Sequence, residues 1–447
     1  MSENEAQTLP PVRIDLAYSI IGLVTTIVWS VVDGWLLYFY LPPEGQGMAL
    51  VPAALYGIAM LAARLLNAVL TPPIGYWSDR THSRLGRRRP YILFSGLPYL
   101  LFFVLLWTPP MRQESLTNLV YLALVLILFN VAQSLVTIPL GSLLPELART
   151  DRHRVRMTAW SASFQLLGVI LAGLAGFLID RWGYAPAALI YAAFLLPLLY
   201  APLLVLHEQP ERQMKGERFG FWQSIRITLA NHPFRVLTLT GVCFWMATTF
   251  LILIVPFIVT EICGLTVADT PYFYLPAVLA SLACYPLINW LAGRFGKWRV
   301  FSASLLASAC VLPLLMLIGP WLPLPLFLQG VAWMTLQAAA LSGVVMLPQA
   351  FAAEITDYDE SLTGQRREGA YYSTWSLLDQ VVNGLAGAVL PLLLLLGRSR
   401  LDVHGPLGVR LTGLVGGALL LAAFFIFQRY PLKSLSEKAR ATDQEPV

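Results

Sequence analysis

Charge is what this chain of 447 residues has least of: only 12% of its positions are Asp, Glu, Lys or Arg, about half the quarter usual in soluble domains. A surface so poor in charge cannot keep a chain of this size in water. Cysteine is scarce as well. The four present (Cys243, Cys263, Cys284, Cys310) follow no metal-type spacing and read as small packing residues. No phosphate-binding glycine loop, metal-ligand cluster or nucleophile with base and orienting group occurs in the sequence, so primary pumping and membrane-enzyme chemistry lack residues to carry them. We expect no enzyme activity, no cofactor, no metal and no catalytic residue.

What the chain has instead is 57% hydrophobic residues, gathered in runs long enough to cross about 30 Å of hydrocarbon. Twelve candidates lie near 15–41, 50–77, 90–108, 118–147, 157–180, 186–206, 234–260, 271–293, 300–318, 324–353, 370–396 and 407–428. The first is too long for a signal-peptide core and lacks a cleavage pattern, so it is expected to stay in the mature chain.

The densest charge cluster, IGYWSDRTHSRLGRRRP from Ile74 to Pro90, carries Asp79 and five arginines (Arg80, Arg84, Arg87, Arg88, Arg89) between two apolar runs. Cationic loops are retained on the cytoplasmic side. An N-terminus placed inside puts 24 of the 30 Lys and Arg residues in cytoplasmic segments, with Arg112, Arg181, Arg398, Arg400 and Arg410 outside and Arg64 within the membrane. The expected fold is therefore an all-α membrane protein with twelve transmembrane helices and both termini cytoplasmic. The +5 net charge follows from the inside rule and calls for no nucleic acid.

A polar segment, 207–233, divides the chain into an N-terminal half, 1–206, and a C-terminal half, 234–447. The halves echo one another: IGYWSDR at 74–80 against INWLAGR at 288–294, Gly86–Arg89 against Gly296–Arg299, and LPEL at 144–147 against AAEI at 352–355. Two six-helix halves related in parallel, with a site near the midplane at their interface, are an architecture for alternating access.

GYWSDRTHSRLGRRRP resembles the signature loop of the major facilitator superfamily. Its extended form is similar to that of the glycoside-pentoside-hexuronide:cation symporters of the melibiose permease type, and to the related sucrose transporters. PQAFAAEITDYDESLTGQRREGAYYSTW, Pro348 to Trp375, is similar to the loop after helix ten in that family, and YFY at 38–40 and Leu-Pro-Glu at 144–146 extend the likeness over the whole chain. The resemblance implies a major facilitator fold and a symporter, but its coupling residues are not all kept. The family's second helix has an arginine followed by sodium-holding carboxylates. Here Arg64 stands with Asn67, Leu70 and Thr71 before Pro72. The family's helix-four aspartate is Thr137, its helix-one sugar aspartate falls on Thr26, its helix-eleven lysine on Gln380 and its helix-five arginine near Ser161. These losses argue against a family-type sodium site and remove the galactoside-binding set.

Charges inside a bilayer cost at least about 2.5–3.5 kcal/mol and are functional candidates by default. Asp33 in the outer half of helix one and Arg64 near the middle of helix two can pair by depth, either as a structural tie or as part of a substrate or coupling site. Asp379, two to three turns into helix eleven, is the leading ion-coupling candidate and Asp33 the second: a carboxyl desolvated in the membrane holds its proton more tightly, as a proton carrier must. Its other reading is an aspartate in a wet cavity, bonded to Gln380 or Asn383. Trp35, Trp160, Trp245, Trp333, Tyr371 and Tyr372 read as packing or interfacial rings. Trp29 and Trp375, on helices that line the cavity in the resembling family, are read as ligand-facing. Gly168, Gly173 and Gly176, with Gly384 and Gly387, fit close helix contact.

The expected substrate-binding set is Trp29, Asp33, Arg64, Asn67, Trp375, Asp379 and Gln380. A cytoplasmic gate of ion pairs is expected from Asp79, Arg80, Arg87, Arg88 and Glu146 with Asp357, Asp359, Arg366 and Arg367. The reading is a secondary transporter of a small organic solute, foremost a sugar or glycoside, with a lysolipid or other amphiphile as the alternative and a non-transporting membrane sensor or scaffold as a rival of another class. A monomer in the cell membrane, surrounded by lipid, is the expected working form, with proton coupling and facilitated diffusion without any ion as the two modes left open.

Overall fold

The computed structural model describes residues 12–43, 45–81, 83–148, 151–206, 226, 228–363, 368–396 and 407–431. Nearly everything described is helical, and among the described residues eleven helical stretches are long and apolar enough to cross a membrane, with the seventeen-residue apolar helix Arg89–Leu105 a shorter addition. A bilayer offers the backbone no hydrogen-bond partners, so a run of this length must satisfy its own N–H and C=O groups, and the helix does so.

By backbone contacts the chain divides into two compact units, Met1–Gly216 and Glu217–Val447. The first holds α1 (Val12–Tyr40), α2 (Ala53–Arg80), α3 (Arg89–Leu105), α4 (Leu116–Leu147), α5 (Asp151–Gly173), α6 (Ala175–Trp182) and α7 (Tyr184–Tyr200). The second holds α8 (His232–Phe257), α9 (Pro271–Phe295), α10 (Lys297–Val311), α11 (Leu326–Met346), α12 (Pro348–Thr363), α13 (Glu368–Leu394) and α14 (Leu407–Phe427).

Most helix pairings recur in the two units. In the first, α1 lies on α5, α2 and α3 on α4, and α3 on α7; in the second, α8 lies on α13, α9 and α10 on α11, and α10 on α14, but α8 packs more extensively on α14 than on α13, whereas α1 meets α7 only slightly. The chain echoes seen in the sequence thus have a packing counterpart. Two polar knots repeat as well. Asn118, buried at the start of α4, donates to the carbonyls of Leu50, Met111 and Gln113 and accepts from the Met111 amide. Gln329, at the start of α11, donates to the carbonyls of Gly319 and Leu324 and accepts from the Gly319 amide. Each ties down the loop ahead of its helix, and Asn118 also holds the buried Leu50 carbonyl between α1 and α2.

Departures from the sequence reading fall at helix breaks. The span read as 157–180 is broken at Leu174, between α5 and α6, and the span read as 324–353 is broken at Leu347, ahead of Pro348. Proline has no N–H to give and disfavours helix in the residue before it, so α11 ends there and α12 restarts with Pro348 as its first residue. Close approach is visible at Gly168 of α5, where an added Cβ would sit 3.1 Å from Thr26 and 3.3 Å from the Leu23 carbonyl of α1. On the outside the usual polarity is reversed: Phe94, Phe194, Leu279, Trp290 and Phe425 are among many large apolar side chains left exposed, as a lipid-facing surface permits.

Candidate functional site

The first unit buries an ion pair between its first two helices. Arg64 Nη2 of α2 donates to Asp33 Oδ1 of α1 at 3.0 Å, with the two side chains 5% and 14% exposed. One turn before Asp33, and therefore on the same face of α1, Trp29 lies under the guanidinium with its ring centroid 4.2 Å from Cζ. Arg64 is thus held edge-on by a carboxylate and face-on by an indole, the two arrangements a planar delocalised cation suits best. Its Nε is buried without a hydrogen-bond partner, as are the hydroxyls of Tyr56 and Tyr99. A buried donor left open in this way marks a place where water or a ligand completes the bonding.

Next to the pair, Asn67 accepts from Ser134 Oγ at 2.9 Å. The hydroxyls standing where the resembling family has carboxylates turn back on their own helices: Thr71 donates to the Asn67 carbonyl at 2.8 Å, Thr26 to Gly22 at 2.9 Å and Thr137 to Gln133 at 3.0 Å. Among the described residues no three His, Cys, Asp or Glu side chains gather as a metal-binding group.

In the second unit the remaining expected residues follow one another along α13. Trp375 packs its ring on Gly241 of α8, where an added Cβ would lie 3.1 Å from the indole. One turn on, Asp379 and Gln380 are half-buried. Asn383 donates to the Asp379 backbone carbonyl at 2.9 Å and accepts from Thr249 Oγ1 at 2.7 Å. Asn383 therefore meets the main chain of Asp379 and a hydroxyl of α8.

The expected gate is only partly within the described residues. Glu146, at the end of α4, takes Arg87 and Arg88 on the same carboxylate oxygen, Arg88 at 3.2 Å. Arg80 is exposed and lies over the Tyr76 ring at 4.1 Å, while Asp359 is buried. The side chains of Asp79 and Asp357, and residues Arg366 and Arg367, lie outside the described residues. Arg89 donates to the Leu203 carbonyl at 2.6 Å, in the short 3₁₀ turn Ala201–Leu204 that follows α7. The second unit has its own version of the Glu146 cluster: Glu354 meets Lys297 at 3.4 Å, a pair that the LPEL and AAEI echo could have announced.

Sequence reasoning missed the most deeply buried charges. Asp15, in the first turn of α1, is fully buried against His153 Nε2 at 2.7 Å and Arg156 Nε at 2.5 Å at the start of α5. The only signal was an aspartate opening an apolar run, and the partner was hidden among arginines that the inside rule already explained. Arg410, counted as an outer-loop charge, is likewise buried and donates to the Leu315 and Met316 carbonyls, with the Trp321 ring 5.6 Å away. Cys263 needs no functional account: burial pushes its thiol up to about 12, so it stays protonated and inert.

The described residues are nearly all helical and hold eleven stretches long and apolar enough to cross a membrane, which makes the class a polytopic membrane protein. The family model for MFS/sugar transport proteins matches residues 17–434, and the chain belongs to that family, the glycoside-pentoside-hexuronide:cation symporters of the major facilitator superfamily. It is a multi-pass transporter of the cell membrane. An isoprimeverose transporter of Lactiplantibacillus pentosus is 25% identical over 85% of this chain and 79% of its own length. A glucuronide carrier protein homolog of Escherichia coli is 26% identical over 94% of this chain and 92% of its own. In fold, the crystal structure of a D-xylose-proton symporter is similar with a TM-score of 0.70 at 15% identity, over 94% of this chain and 98% of that one.

Proposed function

We propose that this protein is a twelve-helix secondary transporter, with both termini cytoplasmic, that moves a sugar or glycoside by alternating access and is driven by protons. The halves 1–206 and 234–447, joined by 207–233, are its two moving bodies. The observation that carries the reading is the Trp29–Asp33–Arg64 cluster. An indole face suits the apolar face of a sugar ring, and a carboxylate beside a guanidinium suits its hydroxyls. The open donors around it, Arg64 Nε with the Tyr56 and Tyr99 hydroxyls, are the kind a polyol completes. The names of the two relatives, one for isoprimeverose and one for glucuronides, agree with a substrate of this chemistry.

Trp375, Asp379 and Gln380 complete the substrate set from the second unit, and Asp379 is the proton carrier. Arg87, Arg88 and Glu146 are the first unit's share of a cytoplasmic gate. Uptake into proteoliposomes across radiolabelled pentosides, hexosides, glucuronides and lysolipids tests the reading. Concentrative uptake of a glycoside, lost in Trp29→Ala and Arg64→Gln, is expected. Transport of a lysolipid alone, or of no solute at all, refutes it.

A further inference from the structure

The second unit carries a feature that substrate transport does not use, a groove of about 450 Å³ between α9, α10 and α11. Its walls are apolar and small: Ile288 and Phe295 from α9, Ala303 and Ala307 from α10, and Ala340 from α11, with Arg299 at one end. Ala303, Ala307, Phe295 and Arg299 are exposed, so the groove opens to the outside of the bundle. Arg299, Ala303 and Ala307 are spaced by four residues and form one stripe along α10.

The groove has a defined depth. α9 ends at Phe295 and α10 starts at Lys297, and the turn between them at Gly296 joins two membrane spans, so Arg299, in the first turn of α10, stands at the membrane surface. Ala307, eight residues on at 1.5 Å each, lies roughly 12 Å deeper, which is most of one leaflet's share of about 30 Å of hydrocarbon. At roughly 30 Å³ per water-sized group the volume takes about fifteen such groups, the size of one acyl chain.

The rim supplies the charge. Arg294, Lys297 and Arg299 gather about the helix joint. Lys297 is engaged by Glu354, and Arg294 lies over the Trp290 and Phe295 rings, which places an aromatic-basic edge at headgroup level. The first amide groups of α10 add the positive end of a helix dipole beside Arg299. An apolar slot one leaflet deep, ending in basic groups at its mouth, is complementary to a lipid with an anionic head.

We infer that this groove binds one anionic glycerophospholipid, an acyl chain lying along Ala303 and Ala307 and its phosphate meeting Arg299. Native mass spectrometry of the full chain, titrated with phosphatidylglycerol or with phosphatidylcholine, tests it. The wild type is expected to retain one phosphatidylglycerol at least about tenfold more tightly than phosphatidylcholine, since several basic groups act together. Arg299→Gln should cut that preference about fivefold, and Ala303→Trp, at an exposed position, should block the groove and release both lipids. Equal retention of the two lipids by the wild type overturns the inference, and that comparison needs no variant to fold. So does a preference that survives Arg299→Gln, or retention that survives Ala303→Trp in a monodisperse protein.

Discussion

Removing Asp33 is the sharpest perturbation of the first unit. In Asp33→Asn the guanidinium of Arg64, 5% exposed, keeps the Trp29 ring at 4.2 Å and loses its carboxylate. Breaking a buried pair from one side costs about 3–5 kcal/mol, because a desolvated charge is left uncompensated; the cation–π contact returns only about 0.5–2 kcal/mol and was already present. Arg64→Gln should be milder, because Asp33 is 14% exposed and water reaches the charge that remains. The double variant, which leaves no buried charge at this pair, should be more stable than Asp33→Asn alone, with a coupling of roughly 1–3 kcal/mol. Thermal unfolding of the four proteins in one detergent, followed by tryptophan fluorescence, measures this cycle. If the single losses simply add, or if Asp33→Asn unfolds no earlier than wild type, Asp33 is not the counter-ion and the account of this site fails.

Three further outcomes are expected. Glu146→Gln should destabilise the first unit by about 2–4 kcal/mol, because Arg87 and the 10%-exposed Arg88 both lose their contact with this carboxylate, whereas Glu354→Gln, at a pair 39% and 28% exposed, should cost about 1 kcal/mol or less; equal losses would contradict this. Asn118→Ala and Gln329→Ala should each cost about 1–3 kcal/mol from the buried backbone groups of Leu50 and Gly319 that they strand, read as a loss of thermal stability without change of helix content. Cys263, with its thiol pushed up to about 12 by burial, stays protonated through neutral and mildly alkaline pH and should react with maleimide far more slowly than the exposed Cys310; labelling at Cys263 as fast as at Cys310 at pH 8, located by peptide mass spectrometry, would refute that.

Much of the fold could be read from the residues because the bilayer imposes coarse demands: about twenty apolar residues per crossing and arginines held to one side. The Asp33–Arg64 pair was legible for the same reason, since depth along two consecutive antiparallel helices fixes which charges can meet. Depth could not reveal Asp15 with His153. Their helices are neighbours in space but 138 residues apart in the chain, and a histidine beside arginines reads as one more solvated charge. The knots of Asn118 and Gln329 were hidden because an amide in an apolar run looks the same whether it faces a loop carbonyl or a cavity. The break at Leu347 was written in Pro348, but an apolar run continuing on either side masked it.

The central claim is that a sugar or glycoside moves through this protein on a proton gradient carried by Asp379. Uptake of the preferred glycoside into sodium-free proteoliposomes, with the interior made alkaline, measures it directly. The account predicts accumulation above the external concentration that collapses when the pH gradient is dissipated, is indifferent to added sodium, and falls to exchange-only activity in Asp379→Asn. Uptake that needs sodium at fixed pH and is unaffected by that substitution would contradict it.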